Sequence, residues 1–497
     1  MTVLDVRPLV ALRESGSHAA AREWLAGYLA RCPADAEALA DLGEALRQRR
    51  LIEDALTVLR RAIELQPDIA SIWINYGVAL QQAAQPDKAK PAYQRALMLK
   101  PDSGEVASNL GALLVAEGDW SGALALFDRA FALLPHRAEI ATNRAVALSV
   151  LRRCDEASKA ARVALSIDPK SFRAVMVLAD IARGAGSWSE CEKWLKTAIE
   201  INPTSGKALV GLANTFLEMG RTQEALSLAL DLTSHQDWPD FPLFDLGAIL
   251  VKLGDGIRAQ TLLRKYLELY PSDPHGARLL LAAAGADVPA KASEAHLQRL
   301  YGYRAETWGP DTHYPAAELV AKALERLRPG SELLDIVDLG CGTGPVGRLV
   351  RGRARRLDGV DISAPMLARA HAEGIYDELI CGDLIDLLND RPQRYDVATC
   401  AATLIHFGDL SAPFESAAQA LRPDGLFIFT LFPNETDGVG AGDAAGLAQG
   451  GCFTHGPRYV ARAAEDRGFS IALIETEVHE PYAHEPRMGL IIGLQKR

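Results

Sequence analysis

The chain has 497 residues, 48% of them hydrophobic, and a formal net charge of −11, so it is too long for one core and is expected to divide into domains. The acidic balance argues against phosphate-driven binding of nucleic acid, and seven cysteines scattered without C-x-x-C pairs argue against a zinc cluster and for a reducing cytoplasm. The start, MTVLDVRPLVALRESG, has no secretory apolar core, and apolar runs such as 279–284 are too short to span a bilayer.

The N-terminal half is periodic. Prolines stand at 33, 67, 101, 135, 169 and 203, and again at 271, two further periods on. A small residue recurs in one register at Gly43, Gly77, Gly111, Ala145, Ala179, Ala213 and Gly247, and in a second at Ala55, Ala89, Ala123, Ala157, Cys191, Ala225 and Ala259. Small residues at two fixed sites let paired helices approach closely, and proline ends one helix before the next begins. A 34-residue period with helix-pair patterning is the tetratricopeptide signature. The expectation is an all-α solenoid over 1–285, of about seven to eight repeats, with a degenerate first unit at 4–32 and a capping helix near 274–284. Between Trp238 and Phe244 the displaced Pro239 predicts a local distortion. Such arrays bind a peptide, a tail or another protein on their concave face. Asn75, Asn109 and Asn143 recur at the repeat period, as a ladder for an extended partner backbone or as a hydrated face; Trp73, Tyr76 and Trp194 fit packing positions.

After a linker at 286–295, the segment YGYRAETW, residues 301–308, offers Tyr303 and Trp308 as groups that cover a ligand or pack. The apolar run from Leu333 then reads as a strand ending at Asp338 and turning through Gly340, Cys341, Gly342 and Gly344 into a helix. Glycine supplies the positive φ of such a turn and leaves room for close approach, the arrangement of a nucleotide-type cofactor loop. Gly342 to Gly347 also satisfies G-x-G-x-x-G, so NAD(P) is an alternative. Two details oppose it: the turn begins already at Gly340, and a carboxylate at Asp338 suits a cationic amino group better than a pyrophosphate. Further strands end at Asp361, 21 residues after Gly340, and at Asp383; a fourth, from Tyr395, leads into Thr403-Leu-Ile-His406. The segment 421–430 and two C-terminal apolar runs, 469–478 and 488–494, supply the remaining strands.

The pattern VDLGCGTG resembles the first motif of class I S-adenosylmethionine-dependent methyltransferases, and its companions follow at the family's distances across 296–497. The resemblance implies a doubly wound, Rossmann-like, seven-stranded α/β domain. It further implies that Asp361 binds the ribose, that Ile362 and Met366 flank the adenine, and that Asp383 reads the adenine amino group beside the Leu384 backbone N–H. With GVDISAPML and FTHGPRYV, the whole chain resembles a group of bacterial predicted TPR-containing methyltransferases.

From that resemblance, S-adenosylmethionine is the expected cofactor, and alignment of an acceptor with exclusion of water is the main catalytic need. His406 is the candidate general base for a hydroxyl or protonated amine; His455 and Arg458 are candidates to hold an anionic acceptor. Cys341 reads as a small filler of a crowded turn. Two function classes follow: a methyltransferase whose solenoid recruits the acceptor or its protein carrier, or a scaffold with a cofactor-sensing or inactive domain. The acceptor is not legible in the sequence, and no membrane partner is expected.

Overall fold

The computed structural model describes residues 7–31, 35–236, 238, 241–305, 308, 314–434, 446–448, 451–480 and 487–497. Pro33, Pro239, the first residues of the degenerate first unit, and Glu306 and Thr307 of the aromatic segment lie outside the described residues. The chain divides into two compact units, Met1–Leu228 and Ala229–Arg497.

The first unit is a succession of helix pairs. First helices have 13 residues (Ala36–Gln48, Ala70–Gln82, Gly104–Ala116, Ala138–Val150, Phe172–Gly184, Gly206–Glu218). The second helices of the first five pairs have 14 (Ile52–Leu65, Pro86–Leu99, Trp120–Leu133, Cys154–Ile167, Trp188–Ile201), and Thr222–Thr233 has 12. Pro67, Pro101, Pro135, Pro169 and Pro203 each stand two residues past a second helix, where the restricted residue before proline stops α continuation. The side chains of Asp35, Asp119 and Ser205 accept from the backbone N–H three residues on and cap the helices they precede.

The first small-residue register marks where paired helices touch. A Cβ placed on Gly43 would lie 2.5 Å from Leu59, on Gly77 2.6 Å from the Tyr93 ring, and on Gly111 2.7 Å from Phe127. Each large partner stands 16 residues on. Where the first position is Ala145 or Ala213, the residue 16 on is Ala161 or Ala229, and all four are fully buried. The second register, from Ala55 to Ala259, is buried throughout, at 1% exposure or less. Asn143 accepts from Arg173 at 3.0 Å and Asn109 bonds the Tyr93 hydroxyl. Two of the three asparagines thus have partners inside the array.

The second unit begins with helical repeats and ends with the sheet. Leu243–Lys252 has only ten residues and follows the stretch where the displaced proline predicts a local distortion; it pairs with Gly256–Leu269 through Gly247 against Leu263. The helices Ala277–Ala283, Glu294–Ala305 and Pro315–Leu327 follow. The strands are β1 (Leu334–Leu339), β2 (Ala354–Asp361), β3 (Glu378–Cys381), β4 (Tyr395–Cys400), β5 (Leu421–Pro433), β6 (Gly446–Leu447), β7 (Phe453–His455), β8 (Phe469–Glu480) and β9 (Arg487–Lys496).

Strands β3-β2-β1-β4-β5 are parallel and ordered as written; β9 joins β5 antiparallel and carries β8, which completes seven strands. The short β7-β6 pair extends from the far end of β5. Helices cover both faces, and the alternation of side chains builds two cores. Val337 and Leu339 pack with Phe427, Phe429 and Phe414 on one face; Leu334 and Ile336 pack with Ile428, Val320 and Leu324 on the other. Every residue of β1 is buried, as a central parallel strand requires. The fold is the Rossmann-like arrangement expected, and it brings the C-terminal ends of β1, β2, β3 and β4 together at one crevice.

Candidate active site

A cavity of about 1140 Å³, counted to its open mouth, lies at those strand ends. Gly340, Cys341, Gly342, Asp361, Ile362, Met366, Asp383, Leu384 and His406 line it, with Thr403, Lys291, Tyr301, Arg304 and Trp308 among the others. Asp338 and Gly344 do not. Most of what sequence placed at the site is therefore brought together there.

The glycine loop is built by conformation and crowding. Gly340, Gly342 and Gly344 have φ of +68°, +55° and +92°, a region that L side chains avoid. A Cβ on Gly340 would fall 2.0 Å from Thr403 Oγ1, so the loop is pressed against the turn that follows β4. A Cβ on Gly342 would meet no atom within 4 Å, which leaves its backbone open to the cavity. Cys341 is 2% exposed, and burial pushes its thiol well above the ordinary range, so it fills space rather than acting as a nucleophile.

Asp338 departs from expectation. It is 1% exposed, Thr399 Oγ1 donates to its Oδ1 at 3.0 Å, and Tyr376 OH donates to its Oδ2 at 2.7 Å. Desolvation raises its pKa to about 6 against those two hydrogen bonds. The carboxylate ties β1 to β4 and to Tyr376. Gly344 likewise faces Ile375 and Tyr376, 3.2 Å from its would-be Cβ. Both residues shape the loop, and neither lines the cavity.

Asp361 stands at the cavity wall with both oxygens engaged by backbone. Its Oδ2 accepts from Gly342 N at 2.8 Å and its Oδ1 from Ser363 N at 2.8 Å. Burial raises its pKa, opposed by those backbone N–H groups. Each oxygen keeps acceptor capacity, so the β2 tip can take two hydroxyls while holding the loop. Asp383 caps the helix Leu384–Asn389 by accepting from Ile385 N at 2.7 Å, and its other oxygen accepts from Lys291 Nζ at 2.8 Å. Sequence reading foresaw no lysine there.

On the opposite wall His406 is 6% exposed, with its Nε2 2.7 Å from Tyr301 OH and the rings edge to face. Burial drives its pKa down to about 3, with Arg304 adding to the shift. The imidazole is neutral at pH 7, and its basicity is far below that of a base matched to that pH. On the helix Glu294–Ala305, residues 294, 297, 301 and 304 follow helical spacing and all face the cavity. Tyr303, on the other side, is 58% exposed, so of these two it is Tyr301 that lines the cavity, together with Tyr314. Arg304 lies over the rings of Tyr301 and Trp308, 5.5 and 5.9 Å from their centroids.

His455 and Arg458 do not form the anion site foreseen for them. His455 is fully buried, stacked on Tyr459, with its pKa lowered to about 4 by burial, whereas Arg458 is exposed; neither lines the cavity. No described helix is long and apolar enough to cross a membrane.

Comparison with known proteins follows the same division. Residues 310–474 match the family model described as a methyltransferase domain. Tetratricopeptide repeat models match 36–79, 80–142, 114–181 and 194–227. Among relatives is the ubiquinone biosynthesis O-methyltransferase of Idiomarina loihiensis, 32% identical over 19% of this chain and 41% of that protein. Another is the malonyl-[acyl-carrier protein] O-methyltransferase of Acetivibrio thermocellus, 33% identical over 21% and 37%. The chain thus spans less than half the length of either. A solved S-adenosylmethionine-dependent methyltransferase from Mesorhizobium loti is 24% identical over 35% of this chain and 96% of that one, with a TM-score of 0.28.

Proposed function

From the premise that this chain joins tetratricopeptide repeats to an S-adenosylmethionine-type methyltransferase domain, we propose that it transfers the methyl group to an acceptor recruited, directly or on a protein carrier, by the repeats. The observation that carries the proposal is the β2 tip: Asp361 holds the Gly342 amide and faces the cavity with acceptor capacity remaining. The bound cofactor supplies an electrophilic methyl on a sulfonium.

This chain's residues hold and enclose. Asp361 accepts the ribose hydroxyls, Ile362 and Met366 pack on the base, and Asp383 and Leu384 take its amino edge. Gly340 and Gly342 leave the backbone bare for the amino acid portion, and Asp338 keeps that backbone in place through Tyr376 and Thr399. His406 and Tyr301 stand on the acceptor side. A neutral, buried imidazole bonded to a phenol orients an acceptor by hydrogen bonding, and this replaces general-base action as its proposed role. Trp308, Phe407 and Leu297 supply apolar walls that exclude water.

Calorimetric titration with S-adenosylmethionine tests the reading. Heat at micromolar protein is expected, and Asp361→Ala weakens binding by about 1–3 kcal/mol, as loss of a charged acceptor does. No heat from the wild-type chain favours the scaffold reading; NADH raising the melting temperature where S-adenosylhomocysteine does not favours NAD(P). The repeats are tested by using residues 1–290 as bait and transferring labelled methyl groups into the captured material.

A further inference from the structure

The segment that composition marks as a linker is held in the structure on both sides. The Ala290 carbonyl accepts from Gly408 N at 2.8 Å and from Asp409 N at 3.0 Å, and Ala292 N donates to the His406 carbonyl at 2.9 Å. Lys291 is bridged antiparallel to Phe407. Gly408 has no room for a side chain, because a Cβ there would lie 2.6 Å from the Pro289 carbonyl. Beyond it, Ser293 Oγ donates to the Asp273 carbonyl at 2.6 Å. Ala292, 1% exposed, packs with Leu279 and Phe453. Alternation along an extended strand sends Lys291 the other way. It enters the cavity lining, 2.8 Å from Asp383 Oδ2 and 3.3 Å from Glu294.

We infer that Lys291 is a positioning residue of the cofactor site: carried by the strap 289–292, it fixes the Asp383 carboxylate that reads the base and ties the β3 tip to the loop after β4. The inference rests on the methyltransferase reading and deepens it. A half-buried carboxylate facing a base needs its charge balanced and its rotamer held. Backbone Ile385 N occupies one oxygen and Lys291 the other, which leaves Oδ2 one direction for an exocyclic amino group. Because the strap also bonds the backbone of His406, Gly408 and Asp409, seating of the base and order on the acceptor side depend on one short segment.

The test uses the full chain and its Lys291→Met and Lys291→Arg variants, titrated with S-adenosylhomocysteine and with its 6-oxo analogue S-inosylhomocysteine. Lys291→Met is expected to bind S-adenosylhomocysteine about tenfold more weakly, the cost of a lost charge-assisted hydrogen bond. Its preference for the amino over the 6-oxo base is expected to shrink, while Lys291→Arg recovers both to within about threefold, since arginine keeps the charge. Hydrogen exchange at the Gly408 and Asp409 amides should quicken in the Met variant, an effect read without any ligand. Unchanged affinity, or equal weakening toward both nucleosides with the preference intact, overturns the inference and leaves the methyltransferase reading standing. A wild-type chain that binds neither nucleoside removes that reading and this inference with it.

Discussion

In the repeat array Gly43, Gly77 and Gly111 are ordinary helical residues whose missing side chain is filled by Leu59, Tyr93 and Phe127 of the paired helix. In the α/β domain Gly340 and Gly342 adopt positive φ, and the space beside them is taken by the Thr403 turn or left open. One residue type is used for two purposes, close packing in the first case and an exposed backbone in the second. On the proposed function, the array's glycines serve helix packing and the loop's serve the cofactor, and substitution can separate the two.

The largest effect is expected from Gly340→Ala. A left-handed φ costs an alanine about 1–2 kcal/mol, and crowding against Thr403 adds about 1–3 kcal/mol, so S-adenosylmethionine binding should fall below detection by calorimetry. Gly43→Ala should cost about 1–3 kcal/mol of stability in urea unfolding and leave cofactor affinity unchanged. Shortening its partner, Leu59→Ala, should make the two changes less than additive, because the Leu59 side chain is what a Cβ at position 43 would strike. Normal binding by Gly340→Ala, or weakened binding by Gly43→Ala, breaks the comparison.

A smaller effect concerns the buried acid beneath the loop. Asp338 keeps its proton up to about pH 6 in the folded chain, against an ordinary value near 4. Between those values the folded state binds more protons than the unfolded one, so this group's contribution to stability falls as pH rises. Asp338→Asn removes the dependence while keeping an oxygen for Tyr376 or Thr399. The stability of wild type relative to the variant should therefore drop by up to roughly 3 kcal/mol between pH 4 and pH 7. Parallel profiles for the two proteins would show that the carboxylate is not desolvated as the structure has it.

What the sequence showed and what it hid divide along the same physical line. The 34-residue period, the strand–turn–helix at Gly340 and the acids at Asp361 and Asp383 are local patterns, each fixed by neighbours along the chain. The partners that qualify them are distant: Lys291 reaches Asp383 across 92 residues and Tyr301 reaches His406 across 105. Tyr376 and Thr399 likewise claim Asp338 from other elements, which no spacing rule at 338 reveals. Tyr301 was within reach of sequence reasoning, since helical spacing from Leu297 and Arg304 favours it over Tyr303. The strap was not, because a run of small residues with one proline reads as a linker until the loop it pairs with is known.

The smallest expected effect is an absence of slope. His406 bonded to Tyr301 has its pKa held near 3 by burial, against an unfolded value near 6.5. The ring is then neutral at pH 6.5 and at pH 8.5, and titrates at neither. Once an acceptor is known, His406→Gln should lower turnover by the same factor at both pH values, since glutamine loses orientation and not proton uptake. Tyr301→Phe should show the same flat ratio, because the phenol acts on the acceptor side with the imidazole as its partner. A loss much greater at pH 8.5 than at pH 6.5 would mean that the ring titrates between them, against the effect of its burial and of Arg304 nearby. In the folding balance the sign is opposite to that of Asp338. Below the unfolded pKa the unfolded chain takes a proton that the folded chain refuses, so the His406 contribution is lost as pH falls from about 6.5 toward 3.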